Sequence, residues 1–145
     1  MRILLVEDDP ILALIAASML EDEGHEIIGP AYGDEQALAL ADSQSIDIAL
    51  VDINLAGHDE GVALARTPRK RYGIASMFVS GQTEAARNNT DAALGLLRKP
   101  YEPSDLGRCV AIAEALISGL TVLPMSVPAS LEVYSPALTC NRPGA

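Results

Sequence analysis

The chain has 145 residues, enough for one domain that buries roughly two thirds of its unfolded surface, and 49% of them are hydrophobic against 21% charged. That balance predicts a folded, soluble protein, and no apolar run approaches the roughly 18 to 20 residues of a membrane span. Twenty acidic against ten basic side chains give a formal net charge of -10, which repels a polyphosphate and argues against nucleic acid as a partner.

Residues 2–6 (RILLV) form a short apolar run of strand formers that leads straight into Glu7, Asp8 and Asp9. Asp9 suits the N-cap of a helix and Pro10 its first position, so the next element starts there and ends at Gly24. A second strand is expected over 25–28, closed by Gly29-Pro30, and a second helix over 34–41. The third strand, 47–51, again ends in an acid, Asp52, and a loop follows from Asn54 to Gly61. A helix over 61–66 should be cut short by Thr67-Pro68. Its end carries the densest basic run, Arg66, Arg69, Lys70 and Arg71, which reads as a solvated helix end.

A fourth strand, 74–79, runs to Ser80-Gly81, and a weak helix over 83–89 suffers from Asn88 and Asn89. A fifth strand, 93–98, is closed by Lys99-Pro100, and an amphipathic helix spans 103–117. Strands alternating with helices predict βαβ units, a parallel sheet and helices on both faces. Residues 1–118 make this domain. Residues 119–145, with Pro124, Pro128, Pro136 and Pro143, are expected to form an extended tail. Cys109 and Cys140 lack metal-ligand spacing and read as two free thiols of a cytosolic protein. The apolar stretch at the N-terminus is too short for a signal peptide.

Polar residues thus collect where strands end: Glu7 and Asp8, then Asp52, Ser80 and Lys99. In a parallel sheet these ends share one edge, where the crevice at the topological switch point holds ligands. Crowded carboxylates repel one another unless a cation sits among them, and such oxygen donors suit Mg²⁺. A carboxylate can also attack phosphorus and form an aspartyl-phosphate, with a lysine and a hydroxyl holding the transferring oxygens.

The segments ILLVEDDP at 3–10, ALVDINLAG at 49–57, MFVSG at 77–81 and LLRKPYEPSDL at 96–106 resemble the receiver domain of bacterial two-component response regulators. The resemblance implies an α/β, flavodoxin-like, doubly wound five-stranded parallel sheet of order 2-1-3-4-5. It implies that Asp52 is the phosphoacceptor, fed by a sensor histidine kinase or a histidine phosphotransfer protein. Glu7, Asp8 and Asp52, with the backbone carbonyl of Asn54, would hold Mg²⁺. Ser80 and Lys99 would contact the phosphoryl group, and Lys99-Pro100 is a candidate cis peptide.

Three departures stand out. Leu96 occupies a switch position where many relatives carry Tyr or Phe, and it has no phenolic hydroxyl. The stretch from Ser80 to Lys99 is short by about one helical turn. The loop after Asp52 reads NLAGHDEG where a Met-Pro pair is common. The expectation is a stand-alone receiver of the chemotaxis-regulator kind, acting on a downstream protein target. Its apolar tail should pack as an arm, on its own receiver or across a two-fold homodimer, the dimer favoured. The rival readings are a Mg²⁺-dependent phosphohydrolase working through an aspartyl-phosphate, disfavoured by Asn54 where a second acid is needed, and a small nucleotide-binding domain, which lacks the glycine-rich loop.

Overall fold

The computed structural model describes residues 1–53, 60–81, 83–120, 122–123 and 127–134. Its elements in chain order are β1 (Arg2–Val6), α1 (Pro10–Asp22), β2 (Glu26–Ala31), α2 (Asp34–Ser43), β3 (Ile48–Asp52), α3 (Glu60–Tyr72), β4 (Ala75–Ser80), α4 (Thr83–Arg87), β5 (Gly95–Arg98), α5 (Pro103–Ile117) and β6 (Leu131–Val133). The sheet order is β2-β1-β3-β4-β5-β6, with the first five strands parallel and β6 antiparallel to β5. The flavodoxin-like order 2-1-3-4-5 is therefore present, extended by one strand that the sequence reading did not anticipate.

Strand alternation decides which face each residue serves. Ile3 and Leu5 of β1, Ile48 and Leu50 of β3, and Met77 and Val79 of β4 join α1 and α5 in one core cluster. Their neighbours Leu4, Val6, Ala49 and Val51 pack beneath α2 and α3 on the other face. Phe78 and Leu96 lead a third cluster with Ile53, Ala65 and Ala86, under α3 and α4. Each fully buried Leu, Ile or Phe contributes roughly 1.5–3 kcal/mol of transfer free energy, and the strands supply most of them.

Asp9 caps α1 as expected: its Oδ1 accepts from the Ile11 and Leu12 amides at 2.9 and 3.3 Å. The helix at Pro103 begins and ends where the periodicity puts it. Most other boundaries shift by one or two residues, and two elements run on further than that. Helix α3 continues through Pro68 to Tyr72, because Leu64, Ala65 and Pro68 bury one face against the sheet while Arg69, Lys70 and Arg71 complement the helix dipole in its last turn. That burial outweighs the hydrogen bond Pro68 removes. Strand β2 likewise runs on through Gly29-Pro30, a cis peptide, to Ala31. Helix α4 is a single short turn and a half, in keeping with its weak formers, and Asn89 Nδ2 closes it by donating to the Ala85 carbonyl at 2.8 Å.

Val122 and residues 127–134 of the tail pack on their own chain. Val122 and Leu131 are buried in the cluster beneath α5, and β6 pairs Val133 with Gly95, Glu132 with Leu96 and Leu131 with Leu97.

Candidate functional site

Parallel strands deliver their carboxyl ends to one edge, and the order β2-β1-β3 places the topological switch between β1 and β3. Glu7 leaves the end of β1 and Asp52 is the last residue of β3; both are buried, at 7% exposure, while Asp8 reaches solvent. Ligand oxygens of Glu7, Asp8 and Asp52 all lie within 4.8 Å of one another. Ser80, 1% exposed, ends β4 alongside. Lys99 follows β5, its Nζ donating to Glu7 Oε1 at 3.0 Å and Asp52 Oδ2 at 3.4 Å. Its backbone is anchored too: the Lys99 amide donates to the Ser80 carbonyl at 3.0 Å, and Lys99-Pro100 is cis.

Burial pushes the Glu7 carboxyl above the ordinary carboxylate range; bonding to Lys99 opposes the rise and the Asp52 charge adds to it. Burial pulls the Lys99 ammonium down, but its bonds to Glu7 and the charges of Asp52 and Glu7 outweigh that and hold it above the ordinary lysine value. Lys99 is therefore fully charged at neutral pH. Three carboxylate oxygens so close together form a hard, anionic donor set of the kind Mg²⁺ takes through one or two carboxylates and several waters.

The structure brings together Glu7, Asp8, Asp52 and Lys99, and sets Ser80 on the adjoining strand end. Asn54 lies outside the described residues, as does most of the NLAGHDEG loop. Leu96 is not at the edge: it sits wholly buried in mid-β5 against Phe78, Ile53 and Ala86.

Two contributors carried no local sequence signal. Gly61, in the first turn of α3, approaches the end of β3 so closely that a methyl group there would overlap the Asp52 carbonyl, and its amide donates to Ile53 at 2.9 Å. Tyr101, whose hydroxyl is raised by burial, lines a cleft of about 520 Å³ that opens beside Glu7 and Lys99 and is walled by Leu12, Ile15 and Met19. Leu12 and Ile15, which line it, are exposed apolar residues of α1.

The comparison with known proteins agrees with this geometry. The family model described as the response regulator receiver domain matches residues 3–111. The chain belongs to this family. Among relatives of the receiver, the transcriptional regulatory protein PdtaR of Mycobacterium tuberculosis is 29% identical over 124 residues, covering 84% of this chain and 60% of that protein. The aerobic respiration control protein ArcA of Escherichia coli is 32% identical over 112 residues, covering 72% of this chain and 44% of its own. The chain thus spans about half the length of these relatives. A solved receiver domain protein (CheY-like) from Methanospirillum hungatei superposes with a TM-score of 0.70 at 29% identity, covering 77% of this chain and 91% of that one. TrrA from Thermotoga maritima, solved in complex with Mg(2+)-BeF, gives 0.68 at 26% identity, covering 77% and 96%.

Proposed function

We propose that Asp52 is the phosphoacceptor of a cytoplasmic two-component switch, that it takes its phosphoryl group from the phosphohistidine of a sensor kinase or phosphotransfer protein, and that the signal leaves through contacts with a downstream protein. The observation that carries this reading is Asp52 at the end of β3, buried, beside the carboxylates of Glu7 and Asp8 and bonded to Lys99. A carboxylate oxygen of Asp52 attacks phosphorus, forming an O–P bond as the N–P bond to the donor breaks; the imidazole nitrogen keeps that electron pair and takes a proton from solvent. Lys99, already within reach of Asp52, pairs with a phosphoryl oxygen, and Ser80 turns its hydroxyl toward another.

Glu7, Asp8 and Asp52, with the Asn54 carbonyl, are the residues that would hold Mg²⁺; when bound it neutralises charge on the transferring oxygens. The Mg(2+)-BeF complex of TrrA supports that assignment. A donor must bring its phosphohistidine to this crevice, and the exposed apolar residues of α1 beside the cleft offer it a docking surface.

The test is incubation of the native chain and of Asp52→Asn with a small acyl phosphate and Mg²⁺, followed by intact-mass measurement. The native chain should gain one phosphoryl group and Asp52→Asn none. Equal gain by both would reject the reading, and continued turnover of phosphodonor far beyond one equivalent would favour a phosphohydrolase.

A further inference from the structure

Strand β5 would be the sheet's outer edge without the tail. Residues 127–134 cover it along its length through contacts of four kinds. The backbone ladder pairs β6 with β5 and continues past it at both ends, with the Arg98 amide donating to Ser130 at 2.8 Å and the Tyr134 amide to Leu94 at 2.9 Å. A charged clamp holds Glu132: Arg87 of α4 donates to it with Nε at 3.1 Å and with Nη2, while Arg98 Nε of β5 lies 3.5 Å from the same carboxylate. At the other end Ser130 Oγ donates at 2.7 Å to Asp105, the residue that also completes the capping box of α5. Finally, apolar anchors go to both faces, Leu131 into the cluster under α5 and Tyr134 onto the cluster of Phe78 and Leu96.

Strand β5 is shaped for this visitor. A methyl group at Gly95 would collide with the Glu132 carbonyl oxygen, so glycine is the residue that lets the second backbone approach. The receptor side of the clamp, Arg87 and Arg98, belongs to α4 and β5, outside the tail, and it pairs with a carboxylate on the incoming strand.

We infer that the edge of β5, with Arg87 and Arg98 along it, is a docking surface for an extended segment that carries a carboxylate between two apolar residues, and that residues 127–134 are its built-in occupant, closing it to other strands. An edge strand left open is a template for pairing with another chain, and a tethered segment competes at high effective concentration. The cover joins α4, β5 and α5 into one surface, so a partner reading that surface must displace it.

The experiment uses the full chain and a labelled peptide of residues 127–134. Glu132→Lys should unseat the tail while leaving the two arginines in place. Amide exchange at Arg98 and Tyr134 should then quicken at least tenfold, with β1 and β3 amides unchanged as the sign that the fold is intact. The peptide should bind the Glu132→Lys chain at least tenfold more tightly than the native chain, and a peptide carrying Glu132→Lys should bind neither. The double change Arg87→Glu with Glu132→Arg should slow exchange relative to Glu132→Lys without reaching the native rate, because Arg98 still faces residue 132. Dimer formation by the Glu132→Lys chain, seen by light scattering, would show a second copy taking the opened edge and supports the surface. Unchanged exchange in Glu132→Lys, or peptide binding that ignores both the tail and the charge at residue 132, overturns the proposal.

Discussion

Strand β5 borders two charged centres that are built on opposite principles. At its carboxyl end, Glu7, Asp8 and Asp52 crowd into one crevice with the Lys99 ammonium, and burial and the Asp52 charge both push the Glu7 carboxyl upward. Along its side, two guanidinium groups converge on the one carboxylate of Glu132. The first cluster is held in place by the strands although its charges oppose one another; the second is a matched clamp that itself holds a segment in place. Crowded like charges leave a site ready for a cation and a phosphoryl group, whereas matched charges fasten one piece of chain to another. Arg98 and Lys99 are adjacent in sequence, so the two centres share a strand end.

The largest effect expected from breaking this contrast is total. Asp52→Asn should abolish the phosphoryl mass gain and, by removing one of the crowded charges, leave the melting temperature in Mg²⁺-free buffer at or above the native value, read by calorimetry. Lys99→Ala should still accept a phosphoryl group, but phosphorylation should alter amide exchange at Arg98 and Tyr134 less than in the native chain, because the ammonium bonds Glu7 and Asp52 from the residue that follows β5. Equal exchange changes in phosphorylated native and Lys99→Ala chains would break that link.

At the clamp, Gly95→Ala should destabilise the chain by roughly 1–3 kcal/mol through overpacking against Glu132, measured by denaturant unfolding. Mg²⁺ should stabilise the native chain by about 1.4 kcal/mol at ten times its Kd, and Asp8→Asn should shift that dependence to higher concentration. The stabilisation should be larger at pH 7.5 than at pH 5. Folding raises the Glu7 pKa, so the apo fold binds more protons than the unfolded chain from about 4.5 up to the raised value, and loses stability as pH rises through that window. Cation binding needs Glu7 ionised, and therefore strengthens over the same interval. The smallest effect is expected at Arg66, whose exposed pair with Asp91 spans α3 and the turn after α4: Arg66→Ala should leave the melting temperature unchanged within error.

Much of this was legible from local pattern. RILLV and the helix from Pro103 to Ile117 fall at their observed boundaries, because each combines strong periodicity with a clear start signal. The crevice was legible because strand ends mark it, and the order of acids, hydroxyl and lysine survives in one dimension. Helix α3 past Pro68 was not, since a proline reads as a stop when the burial of Leu64 and Ala65 on the sheet is unseen. Strand β6 is three residues long and lies beyond several prolines; it is a strand because β5 offers it an edge. The partnership of Arg87 and Arg98 with Glu132 spans 45 and 34 positions and has no local trace.

Tyr134 gives the molecule an optical gauge of its own tail. The chain has no tryptophan, one phenylalanine and four tyrosines, so its near-ultraviolet signal on the long-wavelength side of the phenylalanine band comes from tyrosine. Tyr32 and Tyr72 stand in solvent, whereas the Tyr134 hydroxyl is buried, has no hydrogen-bond partner among the described residues, and is pushed by burial up to about 12. Ionisation of this ring is therefore delayed for as long as β6 is seated. Between pH 10 and 12 the seated form holds a proton that a lifted tail would release, so alkali should loosen the strap in that interval and phenolate absorbance should report it as a late step. Any variant or partner that lifts the strap should bring the Tyr134 ionisation to lower pH, with no label attached.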